Sequence, residues 1–420
     1  MLSKTLKNGI PVSIIPVLGT KAVTVLVMVK VGSRYEPPEL SGVSHFIEHM
    51  MFKGTEKLPT PSDVSRALDA IGADFNAYTS KEYTGYFVKC DAIHKKFAID
   101  TLFDMTFKSK FQEAEMDRER GVIIEEIHMY EDTPVRHIED LLEAAMFEGN
   151  TLGVEIAGTA ETMRAMKREE VLAFRERNYT PALLSVAVAG AVNSDSLEML
   201  ENTFGSVTGR DDRVAFEPLK ELKTYAETPI KMQKKITEQV HLGLGFPGLS
   251  YADPWLPAMK MLVTILGGNM SSRLFMSVRE QGGLAYRIRA DHSEYEDVGI
   301  TAILAGLDKT RLPEAIERIF KEVDSMVEHG PTDEEMQRTL SYMSGQMHLA
   351  LEDSSAHAEW FAKRALFYET METPEERLAA LSRVTKDEVH ELAGRIFDRK
   401  KMTASYIGPE DGPSALLTML

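Results

Sequence analysis

Two apolar runs, Ala22 to Val29 and Leu183 to Val192, are rich in β-branched residues and far too short to span a bilayer, so both predict buried strands. After strands that reach Val31, the positions from Val43 to Phe52 alternate apolar and polar at a helical spacing. Ser41-Gly42-Val43-Ser44 offers capping residues ahead of that helix, and Gly54 offers a stop. A second helix is expected from Thr60 as N-cap and Pro61 at the first position, with Val64, Leu68 and Ile71 on one face and Gly72 at its end. Asp74 to Cys90 then reads as a hairpin, two β-rich runs around a short polar turn. Glu115 to Glu131 predicts a long, strongly charged helix whose apolar stripe is Val122, Ile123 and Ile127.

The second half of the chain repeats this order. Ile236 to Phe246 reads as a strand, Pro254 to Leu266 and Ser271 to Gln281 as helices, and Leu284 to Leu304 as a hairpin behind Gly282-Gly283. Long helices follow in both halves, near 115 to 148 and near 310 to 370, and each half closes on a late strand, Leu183 to Val192 or Met402 to Ile407. This is an internal repeat too diverged to show as identity. It predicts an N-terminal domain over 1–210, a C-terminal domain over 225–420, and a linker over 205–229, where the chain is polar and broken by Gly and Pro.

Composition adds limits. The 420 residues, 43% hydrophobic and 27% charged, suffice for two cores. A formal charge of −17 argues against nucleic acid, which calls for a basic stripe, and no run is long enough for a membrane segment. The single cysteine, Cys90, forbids an intramolecular disulfide and fits a reducing compartment. The chain starts directly on Leu6-Lys7-Asn8-Gly9-Ile10, a turn signal, without a basic or Arg-rich leader, so a cytoplasmic protein or an already processed form is expected.

The chemistry is concentrated at His45-Phe46-Ile47-Glu48-His49. Two imidazoles four residues apart lie on one helix face about a turn apart and can converge on one ion, with Glu48 near the same face. The order His-x-x-Glu-His inverts the commoner zinc-protease motif and is the inverzincin signature. The competing reading is polar decoration of a half-buried helix. A catalytic zinc takes three protein ligands, so a further His, Asp or Glu is required elsewhere. Glu119 and Glu126, seven apart on the charged helix, share a face, so that one can ligate while the other stands behind it. The histidines of the second half, among them His241, His292 and His390, form no such motif and read as structural or exposed.

These residues resemble the M16 peptidases, the pitrilysin, insulysin and mitochondrial-processing-peptidase group. His45-Phe46-Ile47-Glu48-His49 with its tail Met50-Met51-Phe52-Lys53-Gly54-Thr55 looks like the family's metal motif, and Glu119-Arg120-Gly121-Val122-Ile123-Ile124-Glu125-Glu126 resembles its downstream ligand segment. The resemblance implies an α+β fold of two tandem homologous α/β domains, the LuxS/MPP-like metallohydrolase fold, each a mostly antiparallel sheet packed on helices. It implies one zinc per subunit held by His45, His49 and Glu126, with Glu48 as the base and Glu119 as the acid behind the ligands. Glu126 rather than Glu125 fits, since it stands seven after Glu119. Asn76-Ala77-Tyr78-Thr79 is similar to an edge strand on which the family docks substrate by backbone pairing, which makes Asn76 and Ala77 substrate contacts. Arg279 and Tyr286, seven apart, resemble the pair that reaches the bound peptide and the reacting carbonyl.

The resemblance further implies that two such chains pair, as a homodimer or with a degenerate sister chain, so that Arg279 and Tyr286 complete the partner's site around a cavity for unfolded peptides. The expected activity is that of a zinc endopeptidase. The alternatives are a non-catalytic M16-like scaffold or partner subunit and, less well supported by the peptide-binding motifs, a zinc hydrolase of small molecules.

Overall fold

The computed structural model describes residues 1–209, 215–219 and 223–409; part of the expected linker and the last residues of the C-terminal half lie outside the described residues. Along the chain run strands β1 (Leu2–Thr5), β2 (Pro11–Pro16) and β3 (Ala22–Val29), then helices α1 (Val43–Met50) and α2 (Pro61–Asp69). The hairpin β4 (Asp74–Thr79) and β5 (Thr84–Asp91) leads into α3 (Lys95–Lys108), α4 (Glu113–Glu131) and α5 (Pro134–Met146). Next come α6 (Ala160–Ala165), α7 (Arg168–Asn178), β6 (Leu184–Gly190) and α8 (Asp195–Asn202). The second half holds β7 (Ile230–Lys234), β8 (Gln239–Gly248), α9 (Leu256–Gly267), β9 (Ala285–Glu294) and β10 (Gly299–Asp308). It ends with α10 (Leu312–His329), α11 (Asp333–Ala350), α12 (Ser354–Phe367), α13 (Pro374–Ser382), α14 (Lys386–Ile396) and β11 (Thr403–Gly408).

One sheet has the order β1-β2-β6-β3-β5-β4 and the other β7-β11-β8-β10-β9. In the first, β2 and β6 are parallel and every other pair is antiparallel. In the second, β7 and β11 are the parallel pair. Five strands therefore correspond one for one, and the sequence repeat is a repeat of topology. β4 and β9 are counterparts, each at a sheet edge. The strand β3 is buried along almost its whole length on both faces, which explains its unbroken apolar run where a half-solvated strand would alternate.

Both faces of each sheet are covered, and the second cover comes from the other half of the sequence. The compact units are 1–128, 154–216 and 348–371 on the one hand, and 129–153, 217–347 and 372–420 on the other. In the first unit, Ala358, Phe361 and Ala362 of α12 pack on Ile15, Leu26, Met28, Ala187 and Ala189. In the second, Ile138, Leu142 and Met146 of α5 pack on Ile300, Ala302, Leu304 and Ile407. Gly243 and Gly245 of β8 permit that approach: a Cβ at either would lie 3.1–3.4 Å from the Leu142 side chain. The units are thus discontinuous, in contrast to the contiguous halves 1–210 and 225–420, because a sheet this apolar needs a helix on each face and the local sequence supplies only one side.

Other boundaries also differ from expectation. The helix expected near 115 to 148 is two, since Pro134 has no N–H to continue α4 and instead starts α5. That expected near 310 to 370 is three, broken at Gly330, whose φ of 67° favours glycine, and at Asp353, which caps α12 through its side chain. The stretch to Gln281 is a π-helix over Phe275–Gln281 rather than a plain α-helix. No helix among the described residues is long and apolar enough to cross a membrane.

Candidate metal centre

All the site residues of the first half lie in the first compact unit. Helix α1 presents Val43, Phe46, Ile47 and Met50 to the core, fully buried, which leaves His45, Glu48 and His49 along its remaining face. Its start differs from expectation. Gly42 is the N-cap, with φ 91°, and no capping side chain acts from the 41–44 stretch. Instead the buried Glu36 carboxylate accepts from the backbone N–H of Gly42 at 2.6 Å and of Ser44 at 2.7 Å, occupying the helix N-terminus with an acid from outside it. Complete burial pushes the Glu36 carboxyl up to about 7 despite those two donors.

Helix α4 turns Met116, Glu119, Ile123 and Ile127 inward. Val122, expected in the apolar stripe, is 47% exposed, because the face that packs is set by 116, 119, 123 and 127 and residue 122 falls a hundred degrees from its neighbour 123. On this face Glu126 reaches α1: its Oε2 lies 3.8 Å from His45 Nε2 and 3.5 Å from His49 Nε2. Glu125 points away, with its side chain 83% exposed beside His128. One ligand atom from each of His45, His49 and Glu126 lies within 4.8 Å of the others. Tetrahedral zinc with bonds of about 2.1 Å sets its ligands about 3.4 Å apart, so this donor set fits that ion.

Electrostatics separate the two imidazoles. Burial, with His49 adjacent, pushes the His45 ring down to about 4, which keeps it neutral, and its buried Nδ1 has no hydrogen-bond partner among the described residues. Burial also pulls on His49, but the Glu119 and Glu126 carboxylates outweigh it and hold that ring at about 9. Burial acts to raise Glu119, yet His49 and Lys53 bring it below the usual carboxylate range. An ionised Glu119 can only accept, so His49 Nδ1 donates to its Oε2 at 3.0 Å, and Lys53 Nζ donates to Oε1 at 2.7 Å. That arrangement leaves His49 Nε2 facing Glu126 and the position a metal would take.

Glu48, set between the two histidines, is raised by burial, an effect that the hydroxyl of Thr79 opposes. Asn76 and Ala77 lie on β4, and the Ala77 N–H donates to the Asn76 side-chain oxygen at 2.9 Å. Arg279 and Tyr286 belong to the second unit. There Arg279 sits over the Phe275 ring at 4.8 Å and over the Tyr286 ring at 5.6 Å, and Tyr286, on the edge strand β9, is 74% exposed. Sequence reasoning overlooked Glu36 and Lys53. Lys53 had a signal, four residues after His49 and so near the same face; Glu36 had none beyond being an acid shortly before a helix whose cap is glycine.

Residues 16–160 match the family model for insulinase, peptidase family M16, and residues 165–343 match that for the peptidase M16 inactive domain. The chain is 35% identical to uncharacterized zinc protease YmxG of Bacillus subtilis over 393 residues, covering 94% of this chain and 95% of the relative. It is also 35% identical to an uncharacterized zinc protease of Streptomyces coelicolor over 420 residues, covering 96% of this chain and 89% of that one. Among solved structures, a protease from Helicobacter pylori superposes with a TM-score of 0.89 at 21% identity, over 97% of this chain and 99% of the other. An M16 inactive-domain protein from Pseudomonas fluorescens does so at 0.89 and 16% identity, over 97% and 98%. At those identities the structural likeness bears on the fold.

Proposed function

Since the chain belongs to the M16 peptidase family, we propose that it is a zinc-dependent endopeptidase acting on unfolded peptides. The convergence of His45, His49 and Glu126 beside Glu48 carries this reading. Zinc, when held by those three residues, supplies a Lewis acid that polarises the scissile carbonyl and acidifies the attacking water. Glu48 accepts the water's proton and later delivers it to the leaving amine, serving as base and then as acid. A carboxylate raised by burial suits both tasks, since each transfer runs closer to balance. Glu119 fixes the His49 ring through Nδ1.

Substrate docks in an extended form along the open edge of β4, at Asn76 and Ala77, by main-chain pairing that leaves sequence largely unread. Tyr286 donates to the developing oxyanion and Arg279 orients the peptide, both on the site of a partner subunit, in a homodimer or with an M16-like sister chain. The exposure of Tyr286 on the edge counterpart of β4 supports that role. A non-catalytic scaffold subunit is disfavoured because His45, Glu48, His49 and Glu126 are all present.

The zinc-loaded protein should cut an unfolded peptide, and Glu48→Gln should lower kcat by at least about 10²–10⁴-fold with zinc retained. Subunits carrying Glu48→Gln or Tyr286→Phe, each impaired alone, should regain activity when co-assembled, because one hybrid site keeps both residues. No cleavage of any unfolded peptide overturns the peptidase reading; no recovery in proven heterodimers overturns completion between subunits.

A further inference from the structure

We infer that Thr79 is a positioning residue for the reaction, its hydroxyl fixing the Glu48 carboxylate so that the strand proposed to dock substrate also aims the base. The inference rests on the peptidase reading above. Thr79 Oγ1 donates to Glu48 Oε2 at 2.6 Å, and among the described residues no other hydrogen bond to this carboxylate is found. A glutamate side chain has three rotatable bonds, and α1 fixes only its root. One hydrogen bond to one oxygen restricts the carboxylate and leaves the other oxygen for a proton in transit.

The placement follows from the strand. On β4, alternate residues share a face. Phe75 packs its ring against Phe52, just past the end of α1, with centroids 6.1 Å apart. Ala77 is buried, and Thr79 follows at the same period. Tyr78 and Asn76 belong to the opposite face, where the Tyr78 ring packs against Tyr83, 6.2 Å between centroids. Thr79 is therefore directed at α1 by the pleat, and its branched Cβ limits it to few rotamers, so the hydroxyl is held where Glu48 needs it. It is the last residue of β4, and Ser80 N–H bonds Tyr83 C=O across the turn, which closes the hairpin immediately beyond it. A peptide pairing along β4 thus lies on the same rigid element that steadies the base.

Three variants test the inference, with peptide hydrolysis, zinc content and melting temperature followed in each. Thr79→Val keeps the shape and removes the hydroxyl; Thr79→Ala serves the same comparison should the valine variant not fold. Either should lower kcat about 10-fold or more with KM within about 3-fold and zinc content unchanged. Thr79→Ser, which restores the donor, should return kcat to within about 3-fold of the wild type. In a Glu48→Gln background, adding Thr79→Val should leave the affinity for an uncut peptide unchanged, measured by fluorescence anisotropy. A Val or Ala variant as fast as an active wild type overturns the inference, as does a serine variant as slow as the valine one, or a loss that appears in KM or in affinity instead. A wild-type chain that cuts nothing overturns the peptidase reading itself, a distinguishable result.

Discussion

Glu119 stands behind the proposed ligands and touches one of them, His49. It takes His49 on one oxygen and Lys53 on the other, so its charge is balanced and its geometry fixed at 4% exposure. Glu119→Gln keeps the shape and loses the charge; zinc affinity should fall about 10–100-fold, read by competition with a chromophoric chelator. Glu125→Gln, on the outer side of α4, should leave that affinity unchanged. The pair His45 and His49 was legible because a helical period relates them, and Glu126 was preferred over Glu125 because it stands seven after Glu119, the spacing that the resemblance to the M16 family implies. Thr79 and Glu36 were not, since the first meets Glu48 from 31 residues away and the second meets Ser44 across 8 residues, past a short 3₁₀ turn at Pro38–Leu40 whose period does not carry into α1. Periodicity reports neighbours within an element and is silent about contacts made by folding.

At the scale of elements, the placing of α1 depends on Glu36. A buried acid whose folded value is about 7, against an ordinary 4.5, binds its proton more tightly when folded than when unfolded. Its contribution to stability is complete below about 4.5 and is lost as the pH rises through 7. Glu36→Gln cannot titrate, so the stability of the wild type relative to this variant should decline between those limits, by roughly 3 kcal/mol from a shift of this size. Urea melts at a series of pH values check it, and a wild type that gains stability relative to the variant as the pH rises refutes it. The elements themselves were largely readable: both hairpins, the capped helix α2 and the late strands fall close to expectation. The long helices were misjudged because Pro134, Gly330 and Asp353 break patterns whose apolar period continues across them. The π-helix before Tyr286 leaves no mark in hydrophobic spacing.

For the whole molecule, the two-fold repetition was visible in the order of elements, and the exchange of α5 and α12 was not. Nothing in the composition of a helix states which sheet it will cover. The exchange has a direct consequence for fragments. The piece 1–210 lacks α12, and Ile15, Leu26, Met28, Ala187 and Ala189 lose their cover. Alone it should be insoluble or loosely packed, with strong binding of a hydrophobic dye, while co-expression with 225–420 should recover a soluble pair; a fragment 1–210 that melts cooperatively by itself would refute this. During synthesis the same dependence sets a schedule. The residues of the proposed metal centre leave the ribosome early, but the sheet behind them stays open on one side until Phe367 has emerged. A chain cut short before that point carries the proposed ligands His45, His49 and Glu126 and still shows quality-control proteases an uncovered β-surface, so on the function proposed here the cell can discard an unfinished enzyme before it gains the means to cut.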